Sequence, residues 1–178
     1  VHHWARELVV LGASNWSGRL QGGAIEGWYA PNITSDGREG VGNWSTEQIA
    51  NFLRTGASPG RGVAVGPMAD TVQHSLSHLS DEDVAAIAAY LKSVPAEESY
   101  RAAEYGGFHS PNAGGGATYL THCASCHLPN GKGIAGEIPA LQGNGAVLAK
   151  GPENIIRVVL GGLPASNGLA PMPASERA

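Results

Sequence analysis

Apolar positions in this chain fall into short helical stripes separated by glycine and proline. Ile49, Phe52 and Leu53 recur at the spacing of one helix face. Ser45 before them and Gln48 three residues later form a capping box, and Gly56 is the natural stop. A second stripe, Val84, Ile87, Ala88 and Leu91 with Tyr90 on its edge, follows Ser80-Asp81-Glu82-Asp83. Ser80 is its cap, the acidic residues face the positive end of the helix dipole, and Pro95 comes just after its end. A third helix begins near Pro152, presents Ile155, Ile156, Val159 and Leu160, and ends at Gly161. A further helix from about Ala117 leads into Cys123, and no strand pattern precedes that cysteine. The expected fold class is all-α, with Gly/Pro-rich loops.

Two of these helices sit in similar surroundings. Gly56 is followed by Gly66-Pro67-Met68, and Gly161 by Ala170-Pro171-Met172-Pro173. A helix, a glycine and a proline-flanked methionine in the same order argue for an internal duplication. Its expected units are residues 1–95 and 117–178, joined by a linker over 96–116 that holds Gly106-Gly107, Pro111 and Gly114-Gly115-Gly116. The second unit reaches Ala178 without a counterpart to the Ser80-capped helix, so it is expected to lack its C-terminal helix.

Composition narrows the chemistry. The 178 residues carry a formal charge of −4, which speaks against nucleic acid as a partner. No apolar run approaches the length of a membrane span; Leu8 to Leu11 covers four residues. With 26 glycines and 11 prolines, two small units would have thin side-chain cores, and a buried macrocycle would supply the missing apolar volume.

Cys123-Ala124-Ser125-Cys126-His127 points to that macrocycle. Cys-x-x-Cys-His is the attachment sequence of a c-type haem: the thiols form thioethers and the histidine ligates iron from the same turn. These are the two cysteines of the chain. A thioredoxin-like pair would sit at a helix start after a strand. A structural zinc site would need a fourth ligand, for which His122 or His109 is the nearby candidate. His127 is the proximal iron ligand, and Met172 between two prolines is the candidate sixth ligand, a thioether that favours ferrous iron and raises the potential. The plain alternative is that Met172 fills an apolar gap. Met68 is a weaker candidate of the same kind. His2 and His3, and the pair His74 and His78, fit ligand or surface roles.

The chain resembles the multihaem cytochrome c subunit of bacterial membrane-bound alcohol, sugar-acid and aldehyde dehydrogenases. The first unit is similar to that family's middle domain through Gly27-Trp28-Tyr29-Ala30-Pro31-Asn32-Ile33-Thr34, Gly42-Asn43-Trp44-Ser45, Phe52-Leu53-Arg54-Thr55-Gly56, Gly66-Pro67-Met68 and Ala88-Ala89-Tyr90-Leu91-Lys92-Ser93. The C-terminal unit is similar to the family's last domain through Cys123 to Gly133, Pro139-Ala140-Leu141-Gln142-Gly143-Asn144 and Met172-Pro173-Ala174. The resemblance covers roughly residues 20–95 and 117–175. It implies two tandem cytochrome c-type domains, incomplete at both ends. It also implies two haems c, one with His127 and Met172 as axial ligands and one with Met68 and His3. His3-Trp4-Ala5-Arg6 matches the family segment after an attachment site, but His2 stands where a cysteine is expected.

A relay follows from the resemblance rather than substrate chemistry in this chain. Electrons would pass from a catalytic dehydrogenase subunit towards ubiquinone or a terminal oxidase, in the periplasm at the outer face of the cytoplasmic membrane. Membrane association would come through segments outside this sequence or through the partner. The competing readings are a one-haem soluble shuttle, a haem enzyme with an open iron site, and a zinc-binding structural adaptor.

Overall fold

The computed structural model describes residues 20–97, 114–149, 151–165 and 169–175, and the architecture is mainly helical. The expected all-α fold needs one correction. Two short antiparallel pairs, β1 (Gly23–Ile25) with β2 (Trp28–Ala30) and later β3 (Ala57–Ser58) with β4 (Gly62–Val63), lie among the helices. The first pair turns at Glu26-Gly27, both at positive φ (47° and 76°), which is the geometry a two-residue hairpin requires. Three-residue strands leave too little alternation to be read from sequence.

Helix α1 (Thr46–Thr55) lies between the two hairpins. Ser45 Oγ accepts from the Gln48 N–H while the Gln48 side chain accepts from the Ser45 N–H, so the capping box forms as expected. Gly56, at φ 73°, closes the helix with its N–H on the Phe52 carbonyl. After β4 come α2 (Pro67–His74), a 3-10 turn over Leu76–His78 and α3 (Asp81–Ser93). Ser80 caps α3 by accepting from the Asp83 N–H.

The side-chain core sits where α1 crosses α3. Ile49 and Leu53 pack with Val84, Ala88, Leu91 and Val41, and Trp44 meets Phe52 edge to face at 5.5 Å. Val84 is 1% exposed, and burial of a side chain of that size contributes about 1.5–3 kcal/mol. Lys92 Nζ donates to the carbonyls of Gly42 and Trp44, fastening the loop before α1 to the end of α3. Asn32 Nδ2 donates to the Glu97 carbonyl at 2.6 Å, tying the chain beyond α3 back to the loop after β2.

In the second half, α4 (Gly115–His122) starts two residues before the expected Ala117. It is followed by α5 (Ala124–His127), α6 (Gly145–Leu148) and α7 (Glu153–Gly161). The stripe expected to face inward from α7 does not do so. Ile155, Ile156 and Leu160 are exposed, and the residue that α7 buries is Asn154. The reason is the neighbour: α7 packs against β2, whose free backbone groups need polar partners rather than apolar ones.

Candidate functional site

The Cys-x-x-Cys-His segment is a tight helical corner. The Cys123 N–H donates to the Tyr119 carbonyl at the end of α4, and His127 N–H donates to the Cys123 carbonyl at 2.9 Å. Both cysteines are free, Cys123 half-buried and Cys126 exposed. The chain then leaves through Leu128 at φ 63°, and Tyr119 Oη donates to the Leu128 carbonyl at 2.6 Å. Burial, with the adjacent Cys123 adding to it, pushes the Tyr119 phenol above its ordinary value, while a backbone hydrogen bond at Gly131 partly opposes the rise.

His127 is buried, and its Nδ1 lies 3.1 Å from the Pro139 carbonyl. A carbonyl accepts and cannot donate, so Nδ1 is the donor in this contact and Nε2 is the ring nitrogen left to face a metal. The Pro139 segment is itself held by backbone bonds. Leu141 N–H donates to the Gly131 carbonyl, and Ile134 pairs with Ile138. Gly133, at φ 64°, belongs to the same loop, and a Cβ there would stand 2.3 Å from the Ile138 carbonyl oxygen. Only a glycine lets the loop close under the histidine.

Met172 reaches this site from the far end of the unit. Its N–H and carbonyl form an antiparallel bridge with Leu163, at 3.0 and 2.8 Å. Gly162 permits this pairing: at φ 70°, a Cβ would lie 2.6 Å from the Met172 carbonyl oxygen. His127 and Met172 line one cavity of about 690 Å3. That is within the range of about 300–1,000 Å3 for cofactor and ligand sites. A planar haem suits this donor set: two free thiols in one turn, an imidazole with its outer nitrogen fixed, and a thioether on the same cavity. The residues fit the group.

The other candidates are not gathered there. Met68 is the second residue of α2, 37% exposed, and is not among the cavity's lining side chains, although Gly66 and Ala69 on either side are. His74, His78 and His122 are exposed. His3, like His2 and His109, lies outside the described residues. The expectation of two haems c is corrected. The chain's two cysteines are both used by one attachment segment, which is consistent with a single haem c. Among the described residues no group of three or more His, Cys, Asp or Glu is placed to hold a metal ion, which removes support from a zinc site at Cys123 and Cys126.

Sequence reasoning missed Asn154 and Arg157. The Tyr29 N–H donates to Asn154 Oδ1 at 2.9 Å, and Asn154 Nδ2 donates to the Tyr29 carbonyl at 2.8 Å. Arg157 donates to the carbonyls of Gly27 and Glu26, with its guanidinium 5.3 Å from the Trp28 ring centroid. The available signal was a single asparagine on the helix face opposite the apolar stripe, the face that the structure buries.

Residues 113–175 match the cytochrome c family. The chain is 36% identical over 183 residues to the fructose dehydrogenase cytochrome subunit of Gluconobacter japonicus, covering 90% of this chain and 37% of that protein. It is 36% identical over 173 residues to the cytochrome c subunit of the quinone alcohol dehydrogenase of Gluconobacter oxydans, covering 90% and 36%. It is 37% identical over 150 residues to the gluconate 2-dehydrogenase cytochrome c subunit of Pantoea cypripedii, covering 78% and 33%. The chain thus spans roughly a third of the length of these relatives. Residues 113–175 are a cytochrome c-like domain, carried in a chain homologous to the cytochrome c subunits of several bacterial dehydrogenases.

Proposed function

We propose that this chain is part of an electron-transfer subunit that relays electrons from a catalytic dehydrogenase subunit towards membrane ubiquinone or a terminal oxidase. The observation that carries the reading is the shared cavity of His127 and Met172, reached from one Cys-x-x-Cys-His corner. Haem c held there supplies a one-electron iron couple. Cys123 and Cys126 would fix it covalently, and His127 Nε2 and Met172 Sδ would be the protein donors to its iron. Pro139 holds the imidazole in one tautomer and orientation. The Leu163–Met172 bridge fixes the thioether side.

With a histidine and a thioether both holding the iron, this chain would carry electrons without substrate chemistry of its own. The relatives' names support a dehydrogenase partner. We also take residues 1–95 and 117–178 to be two cytochrome c-like units joined by 96–116. A periplasmic location at the outer face of the cytoplasmic membrane fits covalent haem attachment. No helix among the described residues is long and apolar enough to cross a membrane. Membrane association through the partner or through segments outside this sequence belongs to the same proposal.

Intact mass together with a reduced pyridine-haemochrome spectrum tests the reading on protein matured in a haem-attaching host. One covalent haem per chain is expected, abolished by Cys126→Ser. Met172→Ala should keep that haem but lower its potential and admit added ligands to the iron. Absence of haem in the wild-type chain would overturn the relay.

A further inference from the structure

Part of the cavity at His127 and Met172 is not built by the cytochrome c-like domain. Val65, Gly66, Ala69 and Gln73, on and before α2, supply lining from the first half. Gly66 is pressed against Trp28: with φ 54°, a Cβ there would stand 2.5 Å from Trp28 Cε2. On the α7 side of the same indole lies Arg157, whose guanidinium also donates to both residues of the β1–β2 turn. Asn154, one helical turn earlier and 4% exposed, holds the N–H and carbonyl of Tyr29. A continuous set of contacts therefore runs from α7, through Trp28 and Tyr29, to the backbone that walls the cavity.

We propose that Arg157 and Asn154 are positioning residues that clamp the first half over the iron site, and so set how dry that site is. The inference rests on the haem reading above. Loosening the clamp lets the Gly66 wall move away and water enter. A wetter site stabilises the iron form with the extra positive charge, so the reduction potential falls. Asn154 secures the hairpin through backbone atoms, and Arg157 presses the indole against the wall.

The test uses the full chain loaded with haem. Arg157→Ala is compared with Arg157→Lys, with Gly66→Ala, and with Arg38→Ala, which removes the same charge from an exposed arginine outside the cavity. Three quantities are read: haem per chain, midpoint potential, and the rate at which added imidazole perturbs the ferric spectrum. Arg157→Ala should keep one haem, lower the potential further than Arg38→Ala, and speed imidazole entry. Arg157→Lys, which keeps a cation over Trp28 but loses the planar fork, should fall between. Gly66→Ala should reproduce the Arg157→Ala shift by displacing Trp28. If Arg157→Ala loads haem poorly, the Lys and Gly66 variants carry the comparison. Potentials and imidazole rates equal to those of Arg38→Ala in the loaded variants would overturn the clamp alone. A wild-type chain that takes up no haem would overturn the haem reading and the clamp with it.

Discussion

The two halves of the molecule use similar helices for opposite purposes. In the first, the apolar stripe of α1 is covered by α3, and Ile49, Leu53, Val84, Ala88 and Leu91 close over one another. In the second, Ile155, Ile156 and Leu160 of α7 and Leu120 of α4 remain exposed, while the buried side chains include His127, Asn144 and Asn154. One half is organised by side-chain packing. The other is organised by backbone hydrogen bonds, special glycines and polar anchors around a cavity. On the haem reading proposed above, such a unit needs walls more than a core, and the cofactor would supply the apolar volume at its centre.

That contrast can be broken most directly at the attachment corner. Cys123→Ser with Cys126→Ser should abolish covalent haem. It should also cost the second half much of its order while the α1–α3 core survives, as read by amide hydrogen exchange in the two regions. Equal loss of protection in both halves would contradict the division. A smaller effect is expected from truncating matched isoleucines. Ile49→Ala should destabilise the chain by about 2–5 kcal/mol, the usual cost of a buried large-to-small change. Ile156→Ala, on an exposed position, should stay within about 0.5 kcal/mol. Denaturant titration of the pair reads the difference.

Ser45→Ala removes the capping box of α1 and should cost about 0.5–2 kcal/mol in the same titration. Because α7 has no side-chain cap hydrogen bond, no single substitution at Pro152 has the same meaning. The smallest effect concerns pH. The Tyr119 phenol is held above its ordinary value by burial and then by Cys123. Its contribution to stability is therefore complete below the ordinary phenol range and is lost as pH rises through the raised value. Tyr119→Phe should flatten stability across that alkaline window, checked by thermal unfolding against pH.

Legibility in the sequence followed the range of the interactions. Ser45 with Gln48, and Ser80 with Asp83, act within one turn, so both helix starts were readable from neighbouring residues alone. The β1–β2 hairpin escaped because its strands are short and Glu26 takes a positive φ that no residue pattern announces. The inward face of α7 was misread because Ile155, Ile156 and Leu160 have the spacing of a core stripe. Periodicity records which residues share a face, not what lies opposite.

The capped helices, the Cys-x-x-Cys-His motif and the candidate iron ligands were legible from residues alone, since each depends on residues within one turn or on residue type. The tertiary structure decided which candidates meet. It brought Met172 to the cavity of His127 through the Leu163 bridge, left Met68 off that lining, and carried Asn154 and Arg157 across 125 to 131 residues of chain to the first hairpin. Contacts of that separation arise when the halves pack and satisfy each other's backbone groups, and local sequence holds no record of that packing.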